Sequence, residues 1–168
     1  MSTARSTRST SSSSSPRAGD DTTAAGDDAT AAGDSARALA ACVVDAMAER
    51  KAAGITVLDL RAVGGGVADF FVVATGSSNR QIRAVANAVE EDAEARFGET
   101  PWHVEGKKHL QWVVLDYVDV VVHVFSREKR EYYDLERLWG DADIEHVPEE
   151  DGAAAVELLQ PRRAASSS

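Results

Sequence analysis

The chain has 168 residues, a length that fits one domain with appendages. It sets 28 Asp and Glu against 18 Lys and Arg, a formal charge of −10, which argues against direct nucleic-acid binding because phosphate affinity relies on cations that release counterions. The single cysteine, Cys42, excludes an intramolecular disulfide and a cysteine-rich zinc site. The acidity suits a basic protein partner through long-range attraction, and it also serves plain solubility. No apolar run reaches the length of a membrane span, and no hydrophobic stretch follows the basic start as in a secretory signal.

Residues 1–34 hold almost no large apolar side chain, cannot bury enough surface to offset ordering entropy, and read as a disordered tail. The acid-free, Ser- and Arg-rich residues 1–18 have the composition of an organellar transit peptide. They lack an apolar helical face, and Asp20, Asp21, Asp27 and Asp28 follow closely, so a cytoplasmic protein with a plain extension is expected.

The domain is expected over residues 35–147. Leu39, Val43 and Met47 recur at helical spacing within 37–53, with Cys42 as a small core residue and Gly54 as the C-terminal cap. A strand at 55–60 and a Gly64-Gly65-Gly66 turn come next. The unbroken apolar run 70–74 marks a strand covered on both faces. Ser78 and Gln81 form a capping box for a helix carrying Ile82, Val85 and Val89, which ends near Gly98. After Pro101 come an extended segment at 102–106 and strong strands at 112–115 and 120–125, the last two joined tightly enough to force an antiparallel hairpin. Ser126 caps one final helix, on which Tyr132, Leu135, Leu138 and Trp139 fall at helical spacing. The order α-β-β-α-β-β-β-α implies an α/β fold: a mixed sheet of about five strands flanked by helices. Residues 148–168 read as a mostly disordered tail, with Val156, Leu158 and Leu159 able to dock weakly.

Three constellations bear on chemistry. The turn at Gly76, opening a helix, leaves backbone N–H groups that attract anions, but its spacing fits neither the P-loop nor the dinucleotide fingerprint. That turn with Asp116 and Asp119 also raises a nucleotidyltransferase-like enzyme, which needs clustered carboxylates for metal ions; a third acid is missing. His103, His109, His123 and His146 show no metal-ligand spacing, and His123 reads as a structural strand residue on the face opposite Val122 and Val124. No metal, cofactor or catalytic residue is expected. Residues 132–140 concentrate aromatics and leucines in a chain that is 6% aromatic, and Tyr133 and Trp139 lie off the Leu135–Leu138 stripe. Aromatics beside acids are what an interaction hot spot needs.

In order, the stretches Ala68-Asp69-Phe70-Phe71, 74–81, Val104-Glu105-Gly106, 112–117, 119–125, Arg130 through Tyr133, Leu135-Glu136 and Leu138-Trp139-Gly140 resemble the ribosomal silencing factor, or Iojap-like, family. The resemblance implies a non-enzymatic translational repressor with a nucleotidyltransferase-like fold lacking the catalytic acids. It implies docking on the large ribosomal subunit, chiefly on ribosomal protein L-fourteen, to block joining of the small subunit when nutrients are scarce, and a homodimer when free. A role in large-subunit assembly is the alternative within the same resemblance. Carried onto matching positions, the contact residues are Trp112, Asp116, Asp119, His123, Tyr133, Leu135, Glu136, Leu138 and Trp139. The family usually has glycine where Val118 stands, and valine resists the positive φ such a turn uses.

Overall fold

The apolar runs form strands because β-branched residues pack well on a pleated surface, and two long helices bury one side of that surface. The computed structural model describes residues 24–63, 66–148 and 151–160, with side chains from residue 31 onward. Helix α1 (Ala24–Glu49) leads into β1 (Ala53–Asp59) and β2 (Phe70–Gly76). Helix α2 (Asn79–Phe97), β3 (His103–Glu105), β4 (Trp112–Asp116) and β5 (Val120–Ser126) follow. Two short helices, α3 (Arg127–Tyr133) and α4 (Leu135–Leu138), then return the chain to a last strand, β6 (Asp143–His146).

The sheet is mixed, as expected, but it has six strands instead of about five, in the order β3-β4-β5-β2-β1-β6. Only β2 and β5 run parallel; every other neighbouring pair is antiparallel. The extra strand, β6, carries a single large apolar residue, Ile144, so no alternation announces it; its register against β1 aligns Ile144 with Leu58.

One face of the sheet is dry. Val57, Val72, Val122 and Val124 pack against Val43, Met47, Ile82 and Val85 of α1 and α2, all at most 1% exposed. Cys42 is buried there as anticipated, and burial raises its thiol pKa. Ser78 caps α2 by accepting the Gln81 N–H at 3.1 Å. The return half of the box shifts by one residue, because the Gln81 carboxamide oxygen accepts from the N–H of Ser77. Gly76 is required at that junction, since a Cβ would stand 2.5 Å from Ile82.

Both tail boundaries need correction. The first helix begins at Ala24, so it reaches into the segment 1–34 expected to be disordered; residues 1–23, which include the segment 1–18 with the transit-peptide composition, lie outside the described residues. Alanine-rich sequence needs no large side chain to continue a helix already nucleated by packing at Ala36 and Leu39. At the other end, residues 151–160 form two 3₁₀ turns, Ala153–Ala155 and Glu157–Leu159, that bury Ala153, Val156 and Leu159 in the helical core. Asp45 of α1 accepts the Ala153 N–H at 2.8 Å, and Glu145 of β6 accepts those of Glu157 and Leu158. These carboxylates anchor a strap where weak docking at most was expected.

The expected single final helix is broken. Asp134 has φ +43°, which ends α3 and starts α4 on a new axis. Aspartate is among the few residues that tolerate this conformation.

Candidate docking surface

Along β4 the side chains of Trp112, Val114 and Asp116 alternate onto the sheet face opposite α1 and α2, level with Phe125, His123 and Val121 of β5. That face is covered by α3, α4 and the loop after them, together with Leu60, Val63 and Ala68 of the β1–β2 connection. The Trp112 indole stacks on Phe125 with ring centroids 4.9 Å apart and meets Tyr133 of α3 at 4.5 Å. Trp139 meets Phe71 edge-on at 5.7 Å, and Phe71 meets His123 at 4.7 Å. Such tilted and edge-to-face pairs hold rings at defined angles.

His123 lies at the centre. Its Nδ1 accepts the Trp112 indole N–H at 3.1 Å, which leaves the ring proton on Nε2. Burial drives its pKa down to about 4, so the ring is neutral near pH 7. The Nε2–H has no partner among the described residues. A neutral, buried imidazole fixes the indole; it cannot act as a surface cation.

Arg130 secures the cover. It donates to the hydroxyls of Thr75 at 2.9 Å and Thr56 at 3.1 Å, reaching down to β2 and β1. It also forms an ion pair with Glu136 across the Asp134 break. Both side chains are mostly shielded from water, and a guanidinium engaged on several sides is a well-defined anchor. The pair holds α3 and α4 to the sheet despite the interruption between them.

The expected contact residues therefore separate into three groups. Trp112, Tyr133 and Trp139 come together with Glu136 and the exposed Leu138 on the α3–α4 side. His123 and Leu135 are each 6% exposed and support that surface from beneath, without offering contact of their own. Asp116 and Asp119 sit apart, at the hairpin turn, where Asp116 accepts the Val118 N–H at 2.8 Å. Val118 adopts φ +76°, the conformation for which the family's usual glycine is suited.

The helical spacing placed Tyr133 off the core stripe, and that residue is 41% exposed, but the spacing misjudged its neighbours. Tyr132 and Leu138, placed on a core stripe, are 77% and 71% exposed, whereas Trp139 is half-buried. The stripe assumed one axis, and the left-handed Asp134 gives two. Tyr132 thus joins the surface without having been expected there; the only signal was an aspartate able to interrupt the helix. Arg130 stood in the motif set, but its role shows only when Thr56 and Thr75 are brought beside it.

The structure does not bring Gly76 together with the hairpin aspartates. Gly76 is level with Ser126 at one end of β5, while Asp116 is level with Val121 near the other. Five residues of strand separate the levels, about 17 Å at 3.4 Å each. No group of three or more His, Cys, Asp or Glu suited to a metal exists among the described residues. No helix among them is long and apolar enough to cross a membrane.

Comparison with known proteins agrees with the motif order. The family model described as ribosomal silencing factor during starvation matches residues 33–167. The chain belongs to this family. It is 38% identical to the ribosomal silencing factor of Bacillus subtilis over 106 residues, 63% of this chain and 86% of that protein. Its likeness to the chloroplastic protein Iojap of Zea mays is 33% over 109 residues, 65% of this chain and 46% of the plant protein. A crystal structure of a Chromobacterium violaceum protein superposes with a TM-score of 0.58 at 35% identity, covering 61% of this chain and 83% of that one. A Bacillus halodurans structure gives 0.52 at 35% identity, over 58% and 90% of the two chains. Membership makes ribosome-associated translational silencing the family's business.

Proposed function

We propose that this protein is a non-enzymatic translational repressor that docks through its α3–α4 surface on the large ribosomal subunit and sterically prevents joining of the small subunit under nutrient limitation. In keeping with the resemblance, ribosomal protein L-fourteen is the docking partner. The observation that carries the reading is the pairing of exposed Tyr132 and Leu138 with a rigid base formed by Trp112, His123 and the Arg130–Glu136 pair. Apolar side chains held at fixed positions lose little entropy on binding, which is what a hot spot requires. The formal charge of −10 adds attraction to a basic ribosomal protein.

Sedimentation with purified large subunits tests docking, and adding small subunits tests exclusion. The protein should travel with the large subunit and reduce the joined fraction. Tyr132→Ser with Leu138→Ser should weaken co-sedimentation at least tenfold while the unfolding midpoint stays unchanged. Equal binding by the folded double variant would remove this surface from the mechanism; absence of co-sedimentation by the unaltered chain would remove the function.

A further inference from the structure

The α3–α4 surface leaves one side chain without a purpose. Trp102, just before β3, is 82% exposed, the most open large hydrophobic among the described residues. Its backbone N–H donates to the Asp116 carbonyl at 2.7 Å, which sets it against the hairpin turn. That turn presents Val118, 56% exposed, and Phe97, 42% exposed, closes α2 just upstream. Singly scattered apolar residues are ordinary on a surface, but here a bare indole is set beside a turn that exposes a second apolar side chain, Val118.

Carboxylates cluster around the indole at this end. Glu99 precedes Trp102, and Asp116 and Asp119 flank Val118; none of the three carboxylates is in an ion pair among the described residues. Arg61 is committed to Asp59, to which its Nη2 donates at 2.7 Å. We propose that this end of the sheet is a second contact surface, which takes a Lys- or Arg-rich polypeptide segment. A cation over the indole face gains from the ring quadrupole, and the carboxylates complete its neutralisation. A nucleic acid fits poorly, because its phosphates would face those same carboxylates.

The inference rests on the docking reading above, and it gives Asp116 and Asp119 a place that α3–α4 does not. Tyr133 reaches Trp112 at the far end of β4 from Asp116, so the two surfaces are separate. Two-point attachment makes the second contact effectively intramolecular and raises retention beyond either alone.

Photo-crosslinking on purified large subunits tests it, with p-benzoylphenylalanine replacing Trp102 in one full-length preparation and Tyr132 in another. The Trp102 position should crosslink to a Lys- or Arg-rich protein segment, and Trp102→Ser should reduce retention about fivefold without shifting the unfolding midpoint. Crosslinks from the Trp102 position to RNA alone, to a second copy of this chain alone, or to nothing, while the Tyr132 position crosslinks, would overturn the proposal and leave the docking reading intact. Failure of the unaltered chain to co-sediment would overturn the docking reading and this inference with it.

Discussion

The two faces of the sheet are built from different chemistry. The helical face is mostly aliphatic, with Phe70 and Tyr117 among its valines, leucines and alanines, sealed by two long helices and the 151–160 strap. The opposite face sets a network of rings, Phe71, Trp112, His123, Phe125 and Trp139, among aliphatics such as Leu58, Val73 and Val121, under a cover whose last helix is four residues long. Aliphatic side chains fill space densely, whereas rings fix direction. A domain whose stability comes mainly from one face can leave apolar side chains exposed on the other without losing its fold. The opposite face therefore has to be rigid more than it has to be stable, and the Arg130 network supplies that rigidity.

Three variants probe this division, in falling order of effect. Met47→Ala on the helical face should destabilise by about 2–5 kcal/mol, since the side chain is fully buried and leaves a cavity. Urea denaturation would show it, and a loss below about 1 kcal/mol would mean that the helical face is not the main source of stability.

His123 should make the opposite face sensitive to acid. Its folded pKa of about 4 lies below the ordinary 6.5, so the unfolded chain binds the proton first as pH falls. Its contribution is present above pH 6.5 and is lost as pH drops towards 4, about 3 kcal/mol at 1.36 kcal/mol per unit. Relative to His123→Gln, the unaltered protein should lose stability through that window. Parallel pH profiles for the two would show that the ring is not held neutral by burial.

The smallest effect is expected at the turn. Val118→Gly should stabilise by about 1 kcal/mol, because relief of a left-handed valine exceeds the entropy glycine adds to the unfolded chain. A lower melting temperature in the glycine variant would show that the valine side chain makes contacts worth more than its strain.

The helical face was the more legible in sequence. Its strands announce themselves as unbroken apolar runs, and α2 by a serine cap and a helical repeat, because burial on both sides leaves no polar position to confuse the pattern. The opposite face was legible in composition but not in orientation. That residues 132–140 concentrate aromatics was plain; which of them point outward was less so, because one backbone angle at Asp134 resets the phase of everything after it. Strand β6 and the strap escaped for a related reason. Each is short and acidic, and is held by long-range pairing or by carboxylates accepting backbone N–H groups, a use of Asp45 and Glu145 that a sequence does not distinguish from solvated charge.

The strap also bears on how the chain folds as it is made. Asp45 binds the backbone of Ala153, a contact spanning 108 positions, and β1 takes β6 as its outer neighbour. During synthesis α1 and β1 emerge first, and the elements that finish covering them emerge last. The apolar surface of α1 that receives Val156 and Leu159 therefore stays wet until translation has passed residue 159. Such distant closure slows folding and prolongs exposure of a sticky helix, so a nascent chain stalled before residue 151 should expose more apolar surface than one stalled beyond the strap.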